Sequence, residues 1–307
     1  MSPVDQESTL RPSLRTRAAV PCEVCDIASG SLIFVKKGYR LVRCSQCGLV
    51  YVENRPSEAE LSKFYNDDSY HAELVEDSTS ASEWHKRTAA KQFQFLRRFK
   101  KGGRILDVGC SVGFFLRIAK ENGWEPHGVE QSTRSAHYAN YKWKLNVVNS
   151  TLENANLPAG FFDAITLWDV IEHLPSPVAT LRRIAELLKD DGVLIFATPN
   201  IDGLFPRLSY RVAGLMNYWP HPTPPGHLFQ FSKKSIRSVL NKAGFDPVAI
   251  EDDRIAIGYS FGMESLKRAA YSALFVPVAV AGPLFKAGDK MTVAAIKRGT
   301  SGQIQQA

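Results

Sequence analysis

An acidic residue followed by small residues stands out in the stretch RILDVGCSVGFF, residues 104–115. The mainly apolar stretch 104–108 predicts a buried strand that carries Asp107 near its end, and Gly109 and Gly113 bracket a turn before a predicted helix. Ligands of open α/β sheets bind outside the carboxyl ends of the strands, where this turn is expected to lie. The stretch therefore indicates a binding site for a small ligand or cofactor.

A second acidic residue, Glu130, closes the next predicted strand 23 residues after Asp107. A carboxylate at that place can accept hydrogen bonds from both hydroxyls of a ribose. Asp107 distinguishes two nucleotide cofactors, because it would repel the pyrophosphate of a dinucleotide and attract the ammonium and sulfonium of S-adenosylmethionine. The two carboxylates together favour S-adenosylmethionine.

Four of the five cysteines form two pairs, Cys22 with Cys25 and Cys44 with Cys47. Two residues separate the members of each pair and 18 residues separate the pairs, a spacing typical of zinc ribbons. Four thiolates complete the tetrahedral coordination of Zn²⁺ and leave no position open for catalysis. We predict a structural zinc ion, against the alternative of four unrelated buried cysteines.

From residue 103 onwards, predicted strands alternate with predicted helices. We expect strands over 104–108, 125–129, 146–148, 163–167, 192–198, 248–251 and 291–297. We expect helices over 114–121, 133–143, 178–188 and 233–243. Such an alternation predicts a mostly parallel sheet covered by helices on both faces.

With these motifs, residues 100–298 resemble the class I S-adenosylmethionine-dependent methyltransferases. The resemblance also rests on GFFD at 160–163, DVIEHL at 169–174 and HLFQFS at 227–232. Within that superfamily the chain is similar to the small-molecule branch near the ubiquinone-biosynthesis O-methyltransferases. The cysteine pairs followed by GLVY at 48–51 resemble a subgroup with an N-terminal zinc ribbon, whose members often act on sugars or in cell-surface glycan pathways.

The resemblance implies an α/β fold: a Rossmann-like seven-stranded methyltransferase sheet with helices on both faces and its last strand antiparallel, plus the small N-terminal zinc ribbon. We accordingly divide the chain into five segments. They are a disordered tail (1–20), the zinc ribbon (21–50), a helical connector (51–100, with one helix over 84–100), the methyltransferase domain (101–298) and a second tail (299–307).

The resemblance also implies which residues bind S-adenosylmethionine. The methionine part would lie against Asp107, Gly109, Cys110, Ser111 and Gly113, the ribose against Glu130, the adenine against Gln131, Thr151, Leu152 and Glu153, and the sulfonium against Trp168 and Asp169. Ser111 replaces the middle glycine of the family pattern G-x-G-x-G, so that its side chain is expected to crowd the methionine carboxylate.

Two histidines are candidates for the base that an acceptor hydroxyl needs, because the imidazole pKa lies near neutrality. They are His173, after the fourth strand, and His227, in a proline-rich loop that also holds Trp219 and His221. Trp219 is interpreted as either a wall against the acceptor or a packing residue, and His221 is the weaker candidate for a base.

The segment that contains His173 also resembles a metal site. Asp169, Glu172 and His173 are similar to the E-x-x-E-H metal site proposed for quinone O-methyltransferases, and such ligands could hold a divalent cation that lowers the pKa of an acceptor hydroxyl. Alternatively, Glu172 and His173 cap a helix and shape the loop.

These observations lead to one functional prediction with alternatives. We expect methyl transfer to a small-molecule or glycan acceptor, with O-methylation assisted by a histidine base or a metal. The alternatives are an inactive methyltransferase-fold adaptor that binds a partner through the ribbon, and a dinucleotide-dependent oxidoreductase.

Composition and charge narrow the possible partners. The 307 residues are 44% hydrophobic and 22% charged, which indicates a globular protein. The net charge of +7 includes eight basic residues and one acid between Glu83 and Arg104, but no nucleic-acid-binding motif accompanies them, so a nucleic-acid acceptor is not expected.

We expect a cytoplasmic protein, with a peripheral membrane contact, a lid or a dimer face as the alternatives for the apolar residues 268–286.

Overall fold

The computed structural model describes residues 17–57, 59–61, 80–216, 219, 223–253 and 266–299. Its strands form two sheets, one of seven strands and one of four. The larger sheet comprises β4 (Arg104–Val108), β5 (Glu125–Glu130), β6 (Asn146–Asn149), β7 (Phe162–Trp168), β8 (Leu188–Pro199), β10 (Phe245–Asp253) and β11 (Lys290–Lys297). The smaller sheet comprises β1 (Gly30–Lys36), β2 (Tyr39–Cys44), β3 (Val50–Val52) and β9 (Phe229–Gln230).

The described helices cover the larger sheet and connect its strands. They are α1 (Ser80–Leu96), α2 (Phe114–Glu121), α3 (Thr133–Trp143), α4 (Pro177–Leu187), α5 (Leu204–Met216), α6 (Lys233–Ala243) and α7 (Leu266–Ala281). Short 3₁₀ turns span Ile171–His173 and Gly282–Phe285. Helix α6 begins with a capping box between Ser232 and Ser235 and ends at Gly244, whose φ of 87° favours glycine.

The strand order of the larger sheet is β10-β11-β8-β7-β4-β5-β6. Strands β4 to β8 pair in parallel, whereas β11 is antiparallel to both β8 and β10. The central strands consist of nearly continuous apolar residues because helices bury both faces of the sheet. The predicted fold class, with seven strands and an antiparallel last strand, is therefore confirmed.

Most differences from the predicted elements concern their ends. Strand β8 begins at Leu188 rather than at residue 192, and β10 spans Phe245–Asp253 rather than 248–251. Helix α1 covers Ser80–Leu96 instead of 84–100. Helix α5 has no counterpart among the predicted helices; it packs against α7 through the ring of Phe205, which lies 5.8 Å from the ring of Phe275.

The smaller sheet combines the three strands of the cysteine-rich segment with β9, which lies much later in the sequence. Strand β3 pairs antiparallel with β2 on one side and with β9 on the other. Because β3 spans Val50–Val52, the ribbon continues past the boundary expected at residue 50. Before the ribbon, Val20 N donates to Glu53 O at 3.1 Å, so the end of the expected tail is held in place; residues 1–16 lie outside the described part.

The predicted connector (51–100) and the second tail fall partly outside the described residues, which omit 58, 62–79 and 300–307. The expected apolar segment 268–286 forms most of α7 and the turn after it, where Leu284 and Phe285 are 83% and 73% exposed. No described helix combines the length and the apolar character needed to cross a bilayer.

Candidate functional site

Asp107 lies buried near the carboxyl end of the central strand β4, with 2% of its surface exposed. The hydroxyl of Thr166, on the neighbouring strand β7, donates to Asp107 Oδ1 at 2.7 Å. Burial and the nearby Glu130 raise the pKa of Asp107 to about 8, although the hydrogen bond from Thr166 opposes this shift. A cation bound beside Asp107 would therefore stabilise the ionised form of this carboxyl group.

The turn after β4 depends on left-handed backbone at three positions. Gly109 and Gly113 have φ of 70° and 83°, and a Cβ on Gly109 would lie 2.7 Å from a methyl of Val170. Ser111 has a φ of 50° although it carries a side chain. Its buried Oγ has no hydrogen-bond partner among the described residues. The turn thus keeps a strained residue with an unused hydroxyl.

Glu130 closes β5 and fixes the same turn. Its carboxylate accepts the N–H of Ser111 at 2.9 Å and the N–H of Ser132 at 2.8 Å. Burial raises the pKa of Glu130, while these two backbone donors oppose the shift. Glu130 therefore connects the turn after β4 to the end of β5, where a nucleoside is expected.

Cys110 turns away from the open side of the loop. A Cβ on Gly128 of β5 would lie 2.7 Å from the sulfur of Cys110, so the thiol lies against the strand. Burial raises the pKa of this thiol well above its usual range. Among the predicted cofactor residues, Cys110 is placed to contribute backbone and packing.

The residues predicted to surround the adenine lie after β5 and β6, with different exposure. Gln131 is exposed, and its carbonyl accepts from Asn149 Nδ2 at 2.9 Å. Leu152 is buried in the core of the sheet. Glu153 is exposed and accepts from the hydroxyl of Thr180 in α4 at 2.7 Å. The structure gives Glu153 a helix partner that the sequence did not indicate.

Trp168 and Asp169 follow one another at the end of β7. The indole of Trp168 lies 5.2 Å from the ring of Phe115, and its buried Nε1 has no hydrogen-bond partner within the described part of the chain. Asp169 has a φ of 57° and pairs with the ammonium of Lys290 at 2.5 Å. Lys290 begins β11, opposite Pro199 in the register of β8.

His85, on α1, is a site residue that the sequence reasoning missed. Its ring stacks on Phe114, the first residue of α2, with centroids 6.3 Å apart. Burial lowers the pKa of His85, the nearby Asp169 raises it and Lys290 lowers it. The buried Nε2 has no partner among the described residues. The spacing of His85, Ala89 and Phe93 would have placed His85 on the inward face of a helix.

Glu172, His173 and His227 form a cluster beside this site, each with one ligand atom within 4.8 Å of the others. The Nδ1–H of His173 donates to the carbonyl of Gly226 at 3.0 Å, so that in the neutral ring Nε2 is the nitrogen without a proton. Burial lowers the pKa of His173 to about 4. Burial and the nearby Asp169 raise the pKa of Glu172 to about 8.

This cluster corrects the predicted set of cation ligands. Asp169 does not belong to it, because its carboxylate pairs with Lys290 instead. His227 takes the third place, brought in by the backbone bond from Leu228 N to Glu172 O at 2.8 Å. Glu172 Oε2 accepts from Thr198 at 3.0 Å, whereas Oε1 is buried with no partner within the described residues.

The proline-rich loop around His227 is only partly described. Trp219 is 3% exposed and packs edge-on against Phe34 of the ribbon at 5.3 Å, so the structure assigns it the packing role rather than a wall of the acceptor site. His221 lies outside the described residues.

The four ribbon cysteines converge. The sulfurs of Cys22 and Cys47 lie 3.5 Å apart, and one atom of each of the four residues lies within 4.8 Å of the rest. Tetrahedral zinc with Zn–S bonds of about 2.3 Å requires sulfurs about 3.8 Å apart. The cluster therefore fits one such ion, as the spacing predicted.

Acidic partners neutralise much of the basic cluster between Glu83 and Arg104. Lys91 pairs with Asp253, Arg98 with Glu251, Lys100 with Asp191, Arg104 with Glu125, and Lys86 with Glu83. Two of these acids, Glu251 and Asp253, lie on β10, and Asp191 lies near the start of β8. A surface with this pairing presents less positive charge to a nucleic acid than the sequence indicates.

Comparison with known proteins identifies a family that this chain matches. A family model described as a methyltransferase domain matches residues 81–250. The ubiquinone biosynthesis O-methyltransferase of Vibrio campbellii is 30% identical over 105 residues, which are 32% of this chain and 45% of the relative. The tRNA U34 carboxymethyltransferase of Syntrophotalea carbinolica is 34% identical over 164 residues, 50% of this chain and 47% of the relative. The chain spans about half the length of these curated relatives.

A solved structure gives the same architecture. The magnesium protoporphyrin IX methyltransferase of Synechocystis PCC 6803, solved with bound SAH, superposes with a TM-score of 0.52 at 14% identity. The match covers 78% of this chain and 100% of that one. At this identity the likeness concerns the fold of the two chains.

Proposed function

The chain belongs to the methyltransferase-domain family whose model matches its residues 81–250, and from that premise we propose that it transfers the methyl group of S-adenosylmethionine to a small-molecule or sugar acceptor. The observation that carries this proposal is the joined pair of buried carboxylates at the edge of the sheet. Asp107 lies under the turn, and Glu130 holds the turn through Ser111 N at 2.9 Å.

The charges and unused polar atoms of the site fit this cofactor. The raised pKa of Asp107 marks a carboxyl group that lacks a cation, and the methionine ammonium and the sulfonium are cations. A pyrophosphate would add negative charge beside Asp107 and Glu130, which disfavours the dinucleotide alternative. When bound, S-adenosylmethionine supplies an activated methyl group. The protein must bind the cofactor, orient the acceptor toward the methyl group and exclude water from the site.

We propose that three buried polar atoms near the turn after β4 bind the methionine end of the cofactor. They are Ser111 Oγ, Trp168 Nε1 and His85 Nε2, all buried and without partners among the described residues. Buried donors without partners are costly, so a ligand that accepts from them gains affinity. We assign His85, which stacks on Phe114 and whose pKa is influenced by Asp169 and Lys290, to the methionine carboxylate.

The reaction class proposed is O-methylation, with His227 as the base that takes the proton of an acceptor hydroxyl. His173 suits this role less, because its pKa of about 4 leaves it weakly basic at neutral pH. His173 is instead oriented by its bond to Gly226 O, and the neutral imidazole is the form that ligates a metal.

A second mechanism uses a divalent cation held by Glu172, His173 and His227. Two observations support this mechanism. Oε1 of Glu172 is buried without a partner among the described residues, and one ligand atom from each of the three residues lies within 4.8 Å of the others. A bound cation would displace the proton from Glu172 and lower the pKa of an acceptor hydroxyl.

The acceptor class rests on the resemblance to small-molecule enzymes and on the neutralised basic cluster. An RNA acceptor needs free positive charge, whereas Lys91, Arg98 and Lys100 are ion-paired. We propose that the ribbon cysteines hold structural zinc. A cytoplasmic location and a membrane contact through residues 268–286 stay predictions.

Formation of S-adenosylhomocysteine tests the proposal. Purified zinc-loaded protein is supplied with S-adenosylmethionine and a panel of phenolic, sugar and RNA acceptors. We expect turnover with a hydroxylated small molecule, lost in His227→Ala, while His137→Ala, an exposed histidine of α3, retains it. Turnover with RNA alone would contradict the acceptor class, and cofactor binding without turnover on any acceptor would favour the inactive adaptor.

A further inference from the structure

Leu228 connects the zinc ribbon to the candidate reaction centre through its backbone. Val52 N, in strand β3 of the ribbon, donates to Leu228 O at 2.8 Å. Leu228 N donates to the carbonyl of Glu172 at 2.8 Å. The residue next to His227 is therefore bonded on one side to the ribbon and on the other to the Glu172–His173 turn.

Strand pairing continues this connection. Strand β3 pairs with β9 at Val50–Gln230 and Tyr51–Phe229, so that the segment after His227 is a strand of the ribbon sheet. A two-residue strand has few bonds of its own, so its position depends on the strand beside it. The place of His227 is consequently set by β3.

Arg55 adds a side-chain connection from the ribbon. Its guanidinium lies 4.5 Å from the centre of the Phe229 ring, in the geometry of a cation–π contact. The same group donates from Nη1 to the carbonyl of Pro175 at 2.8 Å, two residues after His173. Arg55 thus touches both segments that flank the histidines.

Glu23 provides a third connection, from the loop between Cys22 and Cys25. Its carboxylate accepts from Ser176 Oγ at 2.6 Å and from Val178 N at 3.2 Å, at the start of helix α4. A carboxylate at a helix N-terminus satisfies unpaired N–H groups and interacts favourably with the helix dipole. Because α4 follows the Glu172–His173 turn, the cysteine loop fixes where that turn ends.

We propose that Val52, Arg55 and Glu23 are positioning residues, through which the zinc ribbon holds the Glu172–His173 turn and the loop carrying His227 in reacting geometry. The cofactor end of the site has its own supports, since Asp107 and Glu130 are held by β4, β5 and Thr166. Metal loss therefore loosens the histidines and spares the cofactor turn. The catalytic meaning rests on the proposed function, whereas the coupling itself does not.

Hydrogen exchange, read by mass spectrometry on the full chain, tests the coupling without an acceptor. Zinc-loaded protein is compared with protein treated with a zinc chelator. We expect exchange to rise about tenfold or more in peptides covering 170–178 and 226–231 as well as in the ribbon. Peptides covering 104–108 and 162–168 should not change, and affinity for S-adenosylhomocysteine should stay within about twofold.

Two arginine variants distinguish the effect of the Arg55 contacts from the effect of zinc loss. Arg55→Met removes the cation–π contact to Phe229 and the hydrogen bond to Pro175, whereas Arg40→Met removes an ion pair with Glu53 inside the ribbon. Both should retain one zinc ion per chain by metal analysis. We expect faster exchange at 170–178 in Arg55→Met alone, with a lower kcat and an unchanged KM for S-adenosylmethionine once an acceptor is found.

Either of two results would overturn the proposal. One is a change in exchange confined to residues 20–57 after zinc removal, and the other is unfolding of the whole chain, including strand β4. If the wild type fails to bind S-adenosylhomocysteine, the proposed function fails, but the exchange result still decides the coupling.

Discussion

Replacing Ser111 by glycine should both stabilise the protein and weaken its cofactor site. A side chain in the left-handed region costs about 1 kcal/mol relative to glycine, and Ser111 has a φ of 50°. A buried hydroxyl without a partner costs about 1 kcal/mol more, and Ser111 Oγ is such a group within the described part of the chain. Ser111→Gly is therefore expected to raise the free energy of unfolding by about 2 kcal/mol.

Lys144→Gly is the matched control. Lys144 has nearly the same φ, 51°, at the end of helix α3, but it is exposed and carries no buried hydroxyl. Lys144→Gly should raise the free energy of unfolding only by the backbone contribution, about 1 kcal/mol. Thermal unfolding measures both, at roughly 2–4 °C per kcal/mol for a domain of this size.

The second readout is cofactor affinity. If Ser111 Oγ finds its partner on the ligand, Ser111→Gly loses one hydrogen bond and binds S-adenosylhomocysteine about fivefold more weakly by calorimetry. Lys144→Gly should bind as the wild type does. The reasoning is refuted if Ser111→Gly gains no more stability than Lys144→Gly, or if its affinity for the ligand is unchanged.

Three further predictions concern the same site. Affinity for S-adenosylhomocysteine should rise between pH 6 and pH 8, by at most about tenfold per pH unit, because Asp107 with its pKa of about 8 must lose a proton to attract the ammonium; calorimetry of Asp107→Asn should show no such slope. His85→Ala should weaken S-adenosylhomocysteine about tenfold but leave methylthioadenosine, which lacks the amino-acid part, unchanged; equal losses for both would contradict the role of His85. Mn²⁺ should bind at Glu172, His173 and His227 by electron paramagnetic resonance, and His227→Ala should abolish this binding whereas Asp169→Asn should not.

The sequence predicted the sheet well because burial on both faces leaves a strong pattern. Strands β4, β7 and β8 are apolar runs bounded by turns, and the helices between them show regular spacing and caps. The clustering of the four cysteines and the turn between Gly109 and Gly113 were likewise predicted from residue spacing, and the structure has both.

Other features depend on distant parts of the chain and leave no local pattern. The partner of Asp169 is Lys290, 121 residues later, and the sequence indicates neither this pair nor the placement of Asp169 outside the candidate metal cluster. Strand β9 has two residues, too few for an alternating pattern, so its pairing with β3 could not be foreseen. Trp219 gave no indication that it would pack on the ribbon.

The basic cluster shows the same limit for charge. Counting residues between Glu83 and Arg104 suggests a positive surface, but Glu251 and Asp253 of β10 lie opposite in space and far away in sequence. Net charge along a segment therefore indicates composition, and pairing decides the surface potential.

Calorimetric titration of the folded, zinc-loaded protein with S-adenosylmethionine and with NADH tests the central claim most directly. We predict saturable binding of one S-adenosylmethionine per chain, weakened in Asp107→Asn, and no heat from NADH. Binding of NADH, or no binding of S-adenosylmethionine by protein whose fold and zinc content are verified, would contradict the proposed methyl transfer.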